Sequence, residues 1–147
     1  MNDFQKLCAY LKIVYQNLGI LHRNLIKDVA WFANHEQIAK WYDVIGEEAD
    51  DLIERGLALG YKEPTISEAV LMFQGDLISA DKRELKESFM VCLKMFRAVA
   101  GMLQAAEKDA PADLINRLQE YGFYWNKEAN YKLAQAIEFN RIDEDDD

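Results

Sequence analysis

The chain has two histidines, His22 and His35, and both precede an Asp50-x-x-x-Glu54 pair inside an amphipathic run. Imidazole and carboxylate together suit Fe(II), with Zn(II), Co(II) or Mn(II) as competitors. Carboxylates can pass between one-oxygen and two-oxygen binding as iron goes to Fe(III), while imidazoles add nitrogen donors without further negative charge. A ligand set this sparse leaves positions open for dioxygen or peroxide. Asp50 and Glu54 stand one turn apart and share a helical face. His35 lies fifteen residues before Asp50, roughly 22 Å along a straight helix. No single cation reaches both. A twofold partner laid antiparallel would bring the histidine end of one helix to the acid end of its mate, and the same operation creates a second site. The bland alternative is a pair of ordinary histidines and a solvent-facing acid pair, with Arg55 as a surface ion-pair partner.

The elements that must position these residues are helical. Leu7, Leu11, Val14, Leu18, Leu21 and Leu25 recur in steps of four and three, one apolar stripe on a helix predicted over residues 3–25. Gly19 weakens that helix by up to ~1 kcal/mol unless packing offsets it. A break over Lys27 to Asn34 follows. Asn34 with Gln37 gives a capping-box pattern, and Ile38, Trp41, Ile45 and Leu52 carry an apolar face on to Leu59. Gly60 suits a left-handed C-terminal position and Pro64 prevents continuation. The next stretch holds a short helix, Ser67 to Phe73, capped by Thr65 or Ser67. It is too long for a tight turn and long enough to cross the length of a bundle. Leu85, Phe89, Cys92, Phe96, Val99 and Leu103 predict a third long helix. Pro111 opens a fourth, which runs through Leu114, Leu118, Gly122, Trp125, Ala129 and Ala136. Met90, Met95 and Met102 read as core packing, as do Trp31, Trp41, Tyr42 and Trp125, for which electron transfer is the lesser alternative. Two hairpins joined by one long crossover make an all-α, ferritin-like four-helix bundle, with a short helix between helices two and three.

The 147 residues fit one domain, taken as residues 1–141 with an acidic tail over residues 142–147. A formal charge of -9, with no basic run, repels a phosphate backbone, so direct nucleic-acid binding is disfavoured. No stretch approaches the ~20 consecutive apolar residues of a membrane span. The residues Met1 to Lys6 lack a basic lead into an apolar segment. Cys8 and Cys92 sit in apolar helical patterns as free thiols. A cytoplasmic setting is expected.

Leu21-His22, His35, Asp50-Asp51-Leu52-Ile53-Glu54-Arg55, Gly60 and Pro64 together resemble the Dps family of ferritin-like mini-ferritins. The resemblance implies that His22 and His35 are the two histidines, and Asp50 and Glu54 the acid pair, of a ferroxidase centre. In that family the histidines and acids of one centre come from different subunits. Thr65-Ile66-Ser67-Glu68-Ala69 looks like the family's crossover helix. Asp109, Ala112-Asp113-Leu114-Ile115 and Trp125 look like its last helix, so about residues 4–138 are covered. Three features depart from the pattern. The His22–His35 interval is one residue longer than usual, Arg23 replaces a common Trp, and Lys27 to Phe32 replace a glycine-containing loop. The lysine-rich N-terminal extension that some members use on DNA is missing too. The family implies a dimer building block and twelve subunits closing into a hollow shell of tetrahedral symmetry. Fe(II) would enter through acidic pores and be oxidised by peroxide or dioxygen, then stored as ferric mineral, protecting against oxidative stress. Asp109 and Asp113 are the candidate pore acids, although Asp113 is also placed to favour a helix start. Two other readings stand beside this one. One is a catalytically weakened, structural Dps-like assembly; the other is an acidic helical interaction protein using Asp143 to Asp147 on a basic partner.

Overall fold

The computed structural model describes residues 1–138. Among the described residues the named α-helices are α1 (Asp3–Arg23), α2 (Trp31–Ala58), α3 (Ile66–Met72), α4 (Leu85–Ala105) and α5 (Ala112–Asn126). The predicted acidic tail over residues 142–147 lies outside the described residues. α1 packs on α2 and α4 packs on α5, while α1 also meets α4 and α3. The result is the expected pair of hairpins with a crossover carrying α3. Among the described residues the sole β feature is an isolated parallel bridge, Leu25 to Arg83. It ties the end of the crossover to the α1–α2 loop.

The stripes read from the sequence are the core. Leu7, Leu11, Val14, Leu18, Leu21 and Leu25 meet Ile38, Trp41, Ile45, Leu52, Phe89, Phe96, Val99 and Leu103. Met95 is buried as expected, but Met90 is exposed, because α4 turns it away from its neighbours. Cys8 and Cys92 are both buried free thiols. Burial pushes the Cys8 thiol up to about 12 and the Cys92 thiol higher still. By length and composition alone α4 passes the test for a membrane span, yet it carries the Phe89–Leu103 core stripe.

The caps explain most of the boundaries. Asn2 and Gln5 form a capping box at α1, and Thr65 and Glu68 form one at α3. α1 stops two residues earlier than predicted, at Arg23, where Asn24 folds its amide onto the Ile20 carbonyl. α2 corrects the expected start at Asn34. It begins at Trp31, with Asn34 already inside its first turn. Asp28 accepts from the Ala30 N–H, and the Trp31 indole N–H donates to the Leu25 carbonyl. These local bonds initiate the helix one turn before the capping-box pattern. At the other end, Gly60 takes φ +85°. The Tyr61 and Gly60 N–H groups return to Gly56 and Leu57, a Schellman closure.

Two features have no counterpart in the sequence expectations. Buried Asn17 of α1 holds the crossover: its amide donates to the Asp76 carbonyl at 2.8 Å and its oxygen accepts from the Ile78 N–H at 3.2 Å. Beyond α5 the chain widens into a π-helical stretch, Lys127–Leu133, before returning to α-helix over residues 134–138. Trp125, Ala129, Leu133 and Ile137 are all buried at steps of four. A 3.6-residue turn would rotate such a series off the core, and the wider turn keeps it facing inward.

Candidate metal centre

The end of α1 and the start of α2 bring the two histidines together. Their ring centroids are 5.1 Å apart. Two imidazoles ligating one cation at about 2.1 Å each hold their centroids about 4.5–5.2 Å apart. His35 stacks on Trp31, one turn earlier in α2, at 4.5 Å and 14°. Its Nδ1 lies 2.7 Å from the His22 carbonyl oxygen. A carbonyl can only accept, so Nδ1 donates, and in a neutral ring Nε2 is the nitrogen left for a ligand. The His22 ring packs between His35 and Tyr42, 5.3 Å from the latter. Its Nδ1 is buried with no hydrogen-bond partner among the described residues. Burial, then the neighbouring His35 and Arg23, hold the His22 pKa below the usual histidine value. A neutral ring with an orphaned nitrogen is what a metal ion, or an incoming donor, would satisfy.

Asp50 and Glu54 are exposed and lie on α2, remote in sequence from this pair. Asp50 borders an open groove between α1 and α2 with Lys12, Tyr15, Asp43, Gly46 and Glu47. Neither acid makes an ion pair or side-chain hydrogen bond among the described residues. The expected partner, Arg55, is engaged by Asp51 at 3.0 Å instead. Asp51 also accepts from the Tyr121 hydroxyl and faces Arg117 at 3.6 Å. Burial would raise the Asp51 carboxyl, but the Tyr121 and Arg55 bonds outweigh it and hold its pKa low. Among the described residues no three His, Cys, Asp or Glu side chains converge on one point. The histidine pair and the acid pair thus stand apart on one chain. At 100° per residue along α2, His35, Tyr42, Gly46, Asp50 and Ile53 fall on one side of the helix.

Two buried acids, Glu48 and Glu128, escaped the sequence reading. Glu48 is 7% exposed and accepts from the Trp125 indole N–H, linking α2 to α5. Burial pushes its pKa up to about 8 despite that hydrogen bond. The signal was present, because Glu48 falls on the Ile38–Trp41–Ile45–Leu52 stripe, where a carboxyl must be partnered or neutral. Asp109 and Asp113 are exposed at the α4–α5 junction, with Asp113 in the first turn of α5.

Comparison with solved structures identifies the fold as that of Dps proteins. Dps from Staphylococcus aureus matches with TM-score 0.80 and 18% identity, over 92% of this chain and 92% of that one. Dps92 from Deinococcus radiodurans matches with TM-score 0.77 and 19% identity, over 90% and 82%. Antigen TpF1 from Treponema pallidum gives TM-score 0.83 and 16% identity, over 92% and 88%. At such identities the likeness is one of fold. No protein-family model and no curated protein matches the sequence.

Proposed function

We propose that this chain is the subunit of a divergent Dps-type mini-ferritin. It binds Fe(II) where His22 and His35 of one subunit meet Asp50 and Glu54 of another, and oxidises it with peroxide or dioxygen. The observation that carries the reading is the division of ligands described above. A histidine pair, in which the His22 Nδ1 has no partner among the described residues, occupies one end of the α1–α2 face; Asp50, without a side-chain partner there, borders the groove farther along, and Glu54 follows one turn later on α2. A twofold antiparallel pairing of that face completes two sites at once. Val29 and Phe32 beside the histidines, and Ile66 at the groove, are exposed apolar side chains suited to such a contact.

In this account the residues divide the work. The His22 carbonyl fixes the His35 tautomer, and Trp31 fixes its plane. The carboxylates neutralise the growing charge as Fe(II) becomes Fe(III), and iron supplies the redox chemistry. Ferric product is stored inside a closed shell of twelve subunits, which Fe(II) enters past Asp109 and Asp113. Zn(II), Co(II) and Mn(II) compete for the same ligands.

A second reading, an assembly with weakened oxidation, is favoured by one observation. Arg23 lies beside His22 and disfavours a further positive charge there. Rapid mixing with Fe(II) and peroxide separates the two. An Asp50→Ala/Glu54→Ala double variant should lose rapid oxidation while its native mass stays that of the wild-type assembly. Unchanged initial kinetics in that variant would defeat the assignment.

A further inference from the structure

The outer α1–α2 face carries more rings than a ligand site needs. Trp31 stacks on His35, His35 meets His22, His22 meets Tyr42, and Tyr42 stacks on Tyr15 at 4.2 Å and 16°. Each ring touches the next, and the series ends at Tyr15 in the groove that Asp50 borders. The tyrosine pair is seated by two glycines in helix interiors. A Cβ at Gly46 would come within 2.8 Å of the Tyr15 ring, and one at Gly19 within 3.0 Å of the Arg23 guanidinium and 3.1 Å of the Tyr42 ring. Each glycine costs its helix up to about 1 kcal/mol relative to alanine.

We infer that Trp31, His35, His22, Tyr42 and Tyr15 form a path for single electrons along the α1–α2 face, joining the histidine end of a chain to its own acid end. Indole and phenol are the oxidisable members, and the two imidazoles bridge them. Loss of one electron from Trp31 leaves an indole radical cation, whose N–H is held on the Leu25 carbonyl. An electron from Tyr42 or Tyr15 refills it. The phenol's proton passes to water at the groove, where Tyr15 is 39% exposed, and a phenoxyl radical remains.

The use of such a path rests on the proposed iron reading. There, the two ends of one chain belong to two different, symmetry-related sites. One peroxide takes two electrons and two protons to give two waters, whereas each Fe(II) yields one electron. The path lets Fe(II) at the acid end of a chain supply the second electron to peroxide at its histidine end. Both irons become Fe(III), and no half-reduced peroxide escapes.

Pulse radiolysis of the metal-free full-length protein with azide radicals tests the path without iron. Trp41 and Trp125 are 2% and 0% exposed, so Trp31 is the accessible indole. The indole radical should decay into phenoxyl absorption at a first-order rate independent of protein concentration. Tyr15→Phe/Tyr42→Phe, which keeps both rings and their packing, should lose that rise, and His22→Leu should lose or slow it. A phenoxyl rise that persists unchanged in the double variant, or transfer that depends on concentration, overturns the inference. Fe(II) oxidation measured on the same samples separates the two claims. Intact oxidation without intramolecular transfer sinks the path alone, and transfer without oxidation sinks the iron reading alone.

Discussion

At the scale of single residues the buried carboxyl of Glu48 makes the sharpest statement about pH. Its pKa is raised from 4.5 to about 8 by burial, so the folded state holds its proton where the unfolded chain has lost it. Its contribution to stability is complete below the unfolded value and disappears as pH rises through the folded one. Thermal stability should therefore fall between about pH 5 and pH 8 by an amount traceable to this group. Glu48→Gln keeps an acceptor for the Trp125 indole and removes the ionisation. It should flatten the pH profile and stabilise the protein at pH 8 by about 1–2 kcal/mol. Parallel melting curves for wild type and variant across that range would contradict the assignment. Glu48 also shows how a site can be legible and still be missed. Attention to His22, His35, Asp50 and Glu54 followed ligand chemistry, while Glu48 announced itself only by standing on an apolar stripe. The identity of the Arg55 partner was less accessible. Asp50 and Asp51 are adjacent, and the α5 residues Tyr121 and Arg117 decide in favour of Asp51.

At the scale of elements, Asn17 latches the crossover onto α1. It satisfies two backbone groups of the crossover from a fully buried position. Asn17→Ala would leave the Asp76 carbonyl and the Ile78 N–H without it, at a cost of about 2–3 kcal/mol. Urea unfolding reads that loss directly, and a change below about 0.5 kcal/mol would show the latch to be idle. The helices themselves were plain in the sequence because leucines at steps of three and four admit one periodicity. Boundaries were less so. Asn34-x-x-Gln37 has the composition of a helix start, but the Asp28 side chain and the Trp31 indole organise an earlier one. Such bonds depend on the fold around them. The π-helical stretch is intermediate: apolar residues at 125, 129, 133 and 137 carry its period, though no residue type marks it. Likewise Gly19, a weak point in α1 when read alone, makes room for the Arg23 guanidinium and the Tyr42 ring.

At the scale of the whole molecule, one chain brings His22 and His35 together at the start of α2 and carries Asp50 and Glu54 farther along that helix. Its bundle has the fold of Dps proteins across about nine-tenths of its length. Self-association through the α1–α2 face is the step that would turn two inert half-sets into two iron sites, and every proposed function depends on it. The direct test is an anomalous-scattering map at the iron edge from crystals soaked in Fe(II). The account predicts a peak within bonding distance of His22 and His35 of one subunit and of Asp50 and Glu54 of a twofold mate, repeated by that symmetry. A well-ordered oligomer in which these four side chains remain apart, with iron elsewhere or nowhere, would contradict it.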